Sequence, residues 1–189
     1  MEEVQQFEKR HPVGTKARLA LGLLLYTGQR RSDVIRFGKQ HAKGGALTFT
    51  QYKNRNRKPH KLVLPILPVL QTIIDASRCG DMTYLVNDLG RPFTDAGFGN
   101  WFRDRCIEAG VSDRAHGLRK AGATIAANNE ATAHQLMAIF GWHTLKMAEQ
   151  YTRAADQQRR AEAAMNMLDT REQRRTHSGP TERPGGTFR

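Results

Sequence analysis

The sequence has 189 residues and a net charge of +12. A chain of this length can bury a core as one domain without disulfides, and its two cysteines form no paired motif, which favours a reducing cytosol and argues against a zinc cluster. The longest apolar stretch, residues 19–26, is shorter than the roughly 20 residues that span a bilayer, and the acidic N-terminus does not resemble a signal peptide. The charge predicts a cytoplasmic protein with a polyanionic partner, nucleic acid or an acidic membrane surface; a charge that serves only solubility is the alternative.

The first part of the chain is predicted to be helical and then to change to β-structure. Apolar patterning, the glycines at 28 and 38 and a cap at Ser32 predict three helices, over Val4–Lys9, Lys16–Tyr26 and Asp33–Phe37. Alternating apolar and polar residues then predict two antiparallel strands, over Ala46–Tyr52 and Lys61–Pro65. The basic run between them, residues 53–60, is expected to form the long tip of this hairpin.

The second part of the chain is predicted to be helical throughout. Pro68 opens one helix and Thr94 caps the next, and the predicted ranges are Pro68–Ala76, Thr94–Ala109, Ala115–Asn128, Thr132–Phe140, Leu145–Gln150 and Ala154–Leu168. Residues 169–189 are basic and rich in Pro and Gly, and we expect them to be a disordered tail. The predicted fold class is therefore mainly α with a small antiparallel β-sheet, in one domain over residues 1–168.

Four segments place polar side chains at predicted helix ends or turns. They are Thr27-Gly28-Gln29-Arg30, the hairpin with Lys53, His116-Gly117-Leu118-Arg119, and Gly141-Trp142-His143 followed by Tyr151. Each has an ordinary structural explanation when taken alone: a helix cap, a solvated lysine, a hydrogen-bonded histidine, a core tryptophan or a surface tyrosine. Their combination and order make the sequence informative.

In this order, the segments resemble the catalytic domain of the tyrosine site-specific recombinases, the phage integrase family. That family has Thr-Gly-x-Arg, a hairpin Lys, His-x-Leu-Arg, Gly-His or Gly-Trp, and a Tyr nine residues after that His or Trp. Because Tyr151 lies nine residues after Trp142, Trp142 rather than His143 takes this position. The matching catalytic residues are Arg30, Lys53, His116, Arg119, Trp142 and Tyr151, with Asp33 as a supporting acidic residue.

The resemblance implies a role for each of these side chains. Tyr151 attacks a DNA phosphodiester to give a 3′-phosphotyrosine, and a 5′-hydroxyl later reverses the link without ATP. Two arginines stabilise the charge of the transition state in place of a metal ion. Lys53 is the general acid, His116 the base or proton acceptor, Trp142 an N–H donor, and Asp33 an orienting residue. No cofactor and no metal are expected.

The sequence also departs from the family pattern. Asn54 follows Lys53 where Thr is usual, and Lys58 and Lys61 are rival candidates for the hairpin lysine. We expect the N-terminal core-binding domain of the family to be absent, as in an excised piece or a truncated gene product. The alternatives are therefore an inactive DNA-binding remnant and an enzyme that relaxes DNA like a type IB topoisomerase.

The expected partner is double-stranded DNA, with no membrane contact. Candidate phosphate contacts are Arg31, Arg55, Arg57 and Lys58, together with Arg36, Lys43, Arg103, Arg105 and Arg114. An apolar stripe after the nucleophile, formed by Ala161, Ala164, Met165 and Leu168, is expected to link protomers of a tetramer on paired DNA sites. Packing of the stripe on its own domain is the alternative. The net charge predicts a monomer without DNA.

Overall fold

The computed structural model describes residues 2–53, 55–57, 59–112 and 115–168. This part of the chain is mainly helical and contains a three-stranded antiparallel sheet, so the predicted fold class is confirmed. The predicted tail over residues 169–189 and the candidates Lys58 and Arg114 lie outside the described residues. None of the described helices is long and apolar enough to cross a membrane.

Two helices open the fold, α1 (Glu2–Arg10) and α2 (Lys16–Thr27). The Thr15 side chain accepts a hydrogen bond from the Arg18 amide and caps α2 at its start. Gly28 ends α2 in the left-handed conformation with φ of 63°, which is easy only for a residue without a Cβ. Four leucines of α2 are buried, Leu19, Leu21, Leu23 and Leu24, so this helix forms the centre of the larger core.

Helix α3 (Arg31–Val34) is a single turn, and the prediction of a helix over Asp33–Phe37 capped by Ser32 was wrong. The helix starts earlier because the Arg30 carbonyl already accepts the amides of Asp33 and Val34. It stops earlier because the chain then turns to bury Phe37, and a 3-10 helix over Lys39–His41 follows. The early start makes Arg30, in extended conformation, the N-cap residue.

The sheet has the order β1 (Ala42–Lys43), β2 (Ala46–Thr50) and β3 (Lys61–Pro65). The register of β2 and β3 runs from Ala46 opposite Pro65 to Thr50 opposite Lys61, as expected for a hairpin with a long tip. Strand β1 was not predicted, because two residues are too short for a period to be recognised. Strand β2 ends two residues before the predicted Tyr52, and its inward-facing side chains join the core.

Four helices follow the sheet as predicted to within one residue at each end: α4 (Pro68–Ala76), α5 (Asp95–Glu108), α6 (Ala115–Asn128) and α7 (Ala133–Phe140). Thr94 and Thr132 cap α5 and α7 by accepting backbone amides with their hydroxyls. Gly141 then ends α7 in the left-handed conformation, which turns the chain directly towards Trp142.

The last helix, α8, runs unbroken over Leu145–Leu168, so the prediction of two helices separated after Tyr151 was wrong. No glycine or proline interrupts this range, and nothing in Thr152 or Arg153 stops a helix that is already formed. Ala148 and Ala155 are buried. The predicted apolar stripe is exposed, since Met165 and Leu168 keep 65% and 71% of their surfaces, and it does not pack on its own domain.

The buried side chains form two clusters. The larger lies between α2, the sheet, α4 and α5. The smaller joins α6, α7 and the first half of α8 through Ala123, Leu136, Phe140 and Trp142. Helix α6 packs on α2 and also on α8, so it connects the two clusters. The predicted site residues lie along this junction.

Candidate active site

Four of the predicted catalytic residues line one cleft of about 930 Å³. Arg30 comes from the start of α3, Lys53 from the turn after β2, and His116 and Arg119 from the first turns of α6. The opposite wall is formed by the first half of α5. Three segments that are far apart in the sequence therefore bring arginine, lysine and histidine side chains to one surface.

Arg119 is the most buried of these side chains, with 6% of its surface exposed. One terminal nitrogen of its guanidinium donates to the Gly28 carbonyl and the other to the Phe140 carbonyl at 2.5 Å. The guanidinium carbon also lies 5.2 Å from the Phe140 ring and 5.8 Å from the Trp142 ring. These contacts fix the plane of the guanidinium between the two helix ends that Gly28 and Gly141 terminate.

Burial lowers the pKa of Arg119 to about 10, and the nearby positive charge of Arg30 acts in the same direction. The carboxylate of Asp33 and, in its ionised form, the phenol of Tyr151 oppose this shift. A pKa of about 10 still leaves Arg119 charged at neutral pH. Two guanidiniums close enough to repel each other thus provide concentrated positive charge in the cleft, as binding of a phosphate requires.

Asp33 is buried beneath the cleft, with 2% of its surface exposed. Its Oδ1 accepts the backbone amide of Tyr52 at 2.6 Å, while its Oδ2 has no hydrogen-bond partner in the described part of the chain. Burial raises the pKa of this carboxyl, and the Tyr52 amide and the charges of Arg30 and Arg119 partly offset the rise. Asp33 therefore ties the start of the hairpin tip to α3.

Lys53 is exposed in the turn that follows β2 and lines the cleft. Of its two rivals, Lys61 is exposed at the start of β3 and lies outside the described lining of the cleft, and Lys58 lies outside the described residues. His116 is exposed in the first turn of α6 and also lines the cleft. In the sequence, Lys53 and His116 both lie between Arg30 and Arg119, and both side chains line the cleft.

Tyr151 and Trp142 lie beside the cleft rather than in its described lining. The two rings stack with centroids 5.4 Å apart and planes 9° from parallel, and Trp142 stacks in turn on Phe140 at 4.8 Å. Trp142 is 8% exposed, whereas Tyr151 is half-buried. His143 is exposed, and its ring contacts the ring of His60 at 4.8 Å.

Sequence reasoning missed two buried amides that hold these segments together. The Gln51 side chain donates to Gln29 Oε1 at 2.8 Å and to the Phe140 carbonyl at 3.2 Å, and Gln29 donates to the Ile139 carbonyl at 2.8 Å. Gly141 leaves room for this contact, because a Cβ there would lie 2.6 Å from the Gln51 amide. One signal was available: Gln51 continues the buried alternation of β2.

The predicted phosphate contacts are only partly gathered at the cleft. Arg31, Arg55 and Arg103 line it, and Arg57 is exposed on the hairpin tip. Asp95 also lines the cleft and lies 3.5 Å from Arg31 and 4.0 Å from Arg36, a pairing that the sequence did not indicate. Among the described residues, no group of three or more His, Cys, Asp or Glu side chains is placed to hold a metal ion.

The phage integrase family model matches residues 1–158, which is most of the chain. The chain therefore belongs to the phage integrase family, and the resemblance found in its motifs is confirmed. We found no significant match between this sequence and curated protein sequences.

The fold is similar to solved tyrosine recombinases. XerA recombinase superposes with a TM-score of 0.68 at 16% identity, over 86% of this chain and 61% of XerA. The lambda integrase catalytic core gives 0.61 at 18% identity, over 74% of this chain and 92% of that core. A lambda integrase tetramer bound to a Holliday junction superposes with a TM-score of 0.64 at 18% identity, over 79% of this chain and 46% of that chain. The chain thus spans about three fifths of XerA and has the fold of a tyrosine recombinase catalytic domain.

Proposed function

We propose that this chain cuts and rejoins DNA as a site-specific recombinase, through a 3′-phosphotyrosyl link to Tyr151. The observation that carries the proposal is the convergence of Arg30, Lys53, His116 and Arg119 on one cleft beside Tyr151. Membership of the phage integrase family supports the same reading.

In the proposed reaction, the Tyr151 oxygen attacks the phosphorus of a DNA phosphodiester. The new bond is the tyrosyl phosphoester, and the bond that breaks joins the phosphorus to the 5′-oxygen of the next nucleotide. A second 5′-hydroxyl then attacks the phosphotyrosine and restores a phosphodiester. Each step exchanges one phosphoester for another, so neither ATP nor water is consumed.

The cleft residues have matched roles in this scheme. Arg30 and Arg119 donate N–H groups to the non-bridging oxygens, whose negative charge grows in the transition state, and so replace a metal ion. Lys53 gives a proton to the leaving 5′-oxygen, and His116 accepts the phenolic proton of Tyr151. The indole of Trp142 stacks on the phenol before the attack, and its N–H can serve as a donor to the phosphate.

The proposed attack requires Tyr151 to leave its stack on Trp142. The stacked ring lies beside the cleft, close enough to Arg119 for its phenolate charge to raise the pKa of that guanidinium. We infer that DNA binding brings the phenol into the cleft, where the phosphate becomes the anionic partner of Arg30 and Arg119.

Covalent trapping on DNA tests the proposal. A duplex nicked so that the short 5′-hydroxyl fragment diffuses away should leave a denaturation-resistant protein–DNA adduct, and Tyr151→Phe should form none while binding DNA nearly as well. The adduct should also form in EDTA, since no metal takes part. Binding without any adduct from the unaltered chain would instead support a DNA-binding remnant. Relaxation of supercoiled plasmid without exchange between two sites would support a topoisomerase-like activity.

Assembly on DNA is part of the same proposal. The similar lambda integrase is a tetramer on a Holliday junction in one structure, and XerH recombinase is bound to its difH substrate in another. We propose that double-stranded DNA is the partner here too, and that the exposed stripe on α8 links protomers once they are bound to paired sites. The net charge of +12 disfavours self-association without DNA.

A further inference from the structure

The tyrosine that precedes the hairpin lysine is held between two arginines. The guanidinium carbon of Arg36 lies 3.5 Å from the centroid of the Tyr52 ring, and that of Arg55 lies 3.6 Å from it. Two groups this close to one centroid must lie on opposite faces of the ring, because they would overlap on the same face. Tyr52 is thus the middle layer of a three-layer stack, with a cation on each electron-rich face.

The backbone of Tyr52 is held as firmly as its ring. Its amide donates to the Oδ1 of Asp33 at 2.6 Å, and its carbonyl accepts a hydrogen bond from the Arg55 side chain at 3.1 Å. Asp33 and Arg36 belong to α3 and the turn after it, while Arg55 belongs to the hairpin tip. Tyr52 therefore joins the tip of the hairpin to the segment that carries Arg30.

Lys53 has no comparable anchor of its own. It is exposed and forms neither a hydrogen bond nor an ion pair with the described residues. A lysine side chain has four rotatable bonds and large conformational freedom. Its place over the cleft therefore depends on the backbone of the residue before it, and that backbone is fixed by the ring and amide contacts of Tyr52.

From this arrangement we propose that Tyr52 is a positioning residue for strand cleavage: its stack between Arg36 and Arg55 holds Lys53 where it can protonate the leaving 5′-oxygen. The inference rests on the acid role of Lys53 under the proposed function. Tyr52 also lines the cleft, but in this proposal it does not touch the reacting phosphorus or the leaving oxygen, and its effect passes through Lys53.

The stack also leaves the two arginines able to act on DNA. Stacking uses the flat faces of a guanidinium, whereas its five N–H groups point outward in its plane. One terminal nitrogen of Arg36 donates a hydrogen bond to the Ser32 carbonyl, and one terminal nitrogen of Arg55 donates to the Tyr52 carbonyl. The remaining N–H groups stay available for phosphates, so the stack orders two DNA contacts together with the lysine.

A substrate with a better leaving group separates positioning from general structural damage. In a 5′-bridging phosphorothioate the leaving atom is sulfur, which departs without gaining a proton, so the step no longer needs Lys53. Tyr52→Leu should cleave normal DNA about 10- to 100-fold more slowly than the unaltered chain, a partial loss of general-acid catalysis. On the sulfur substrate its rate should return to within about threefold of the unaltered chain, because the acid step is bypassed.

Tyr52→Phe is the matched control, because it keeps the aromatic ring and both stacked cations and should cleave normal DNA at nearly the unaltered rate. Urea unfolding and non-covalent DNA binding identify variants that are merely unfolded. If Tyr52→Leu is folded and equally slow on both substrates, the inference is overturned. Near-normal cleavage of normal DNA by Tyr52→Leu overturns it as well.

Lys53→Ala, assayed in parallel, distinguishes the two proposals. If sulfur rescues Lys53→Ala but not Tyr52→Leu, the acid role of Lys53 stands and the positioning role of Tyr52 is rejected. If sulfur rescues neither, while the unaltered chain cleaves both substrates, Lys53 is not the acid and the inference fails with that assignment. Rescue of both variants supports both proposals.

Discussion

Arg119 is held by two backbone carbonyls that lie on different helix ends, those of Gly28 and Phe140. Only a planar, forked side chain can donate to both carbonyls and still present N–H groups to a phosphate. The position therefore demands the shape of arginine and not only its charge. The motif His-x-Leu-Arg identifies the residue, but the sequence does not reveal these two acceptors, which are 91 and 21 residues away.

We expect Arg119→Lys to lower the cleavage rate by a factor of about 10² to 10³, the usual effect of losing a transition-state donor. A lysine keeps the charge but loses the fork and leaves a buried carbonyl without its donor. Single-turnover cleavage of the nicked duplex measures the effect, and urea unfolding separates it from loss of the fold. Cleavage by Arg119→Lys within a few-fold of the unaltered rate would show that charge alone suffices.

Asp33 makes the stability of the fold depend on pH in a direction that is unusual for a carboxyl group. Because burial raises the pKa of this carboxyl above its ordinary value of 3.8, the folded state holds the proton more tightly than the unfolded state. The stability that this carboxyl contributes is then fully present below pH 3.8 and is lost as the pH rises through the folded-state pKa. Most paired carboxylates behave in the opposite way.

Asp33→Asn should remove this dependence, since an amide does not ionise and can still accept the Tyr52 N–H. We expect the free energy of unfolding of the unaltered chain, relative to that of Asp33→Asn, to fall as the pH increases above 3.8. Urea titrations at a series of pH values measure the difference. A difference that instead grew with pH would mean that the arginines, and not burial, dominate the environment of Asp33.

At the scale of elements, local signals predicted most boundaries correctly. Thr94, Thr132 and Gly28 act through their own conformations and hydrogen bonds with near neighbours, so the sequence alone indicates them. The predictions were wrong or incomplete where contacts between residues far apart in the sequence determine the structure. Helix α3 is shortened because Phe37 turns into the core, and the Gln29–Gln51 bond joins residues whose pairing no local pattern encodes.

The prediction for α8 was wrong for a different reason. Two helices, over Leu145–Gln150 and Ala154–Leu168, were predicted with a short connection at Tyr151, whereas the local sequence contains no residue that interrupts a helix. The uninterrupted helix places Tyr151 and the exposed stripe on one rigid element, with roughly 25 Å of helix between Tyr151 and Leu168. The residues of the candidate site could therefore be predicted from the sequence, but the continuous helix that joins Tyr151 to the exposed stripe could not.

At the scale of the whole molecule, α8 extends well beyond its last buried residue. Ala155 is the last buried residue of the helix, and beyond it Arg159 pairs with Glu130 at 3.7 Å. Removal of residues 161–189 therefore takes away the exposed stripe without opening the smaller cluster. A deletion that began at residue 154 would also remove the buried Ala155. Its effect on assembly could then not be separated from a loss of stability.

We expect deletion of residues 161–189 to leave cleavage at a single site nearly unchanged while recombination between two sites is lost, because we propose that the stripe contacts only other protomers. Met165→Glu with Leu168→Glu is the matched variant, because it keeps the basic residues after 168 and places charge only on exposed positions. Light scattering on a two-site duplex should show larger complexes for the unaltered chain alone. A truncated chain that recombines normally would exclude the stripe as the assembly element.

The stack of Tyr151 on Trp142 allows the proposed nucleophile to be followed by tryptophan fluorescence. The fluorescence of an indole that stacks on another ring differs from that of an unstacked indole. The sequence has only one other tryptophan, Trp101. That residue lies in α5 against Phe93 and Phe98, away from the smaller cluster. Under the proposed function, the fluorescence of Trp142 should therefore change when Tyr151 leaves the stack, and this change can be followed in real time before any DNA bond is broken.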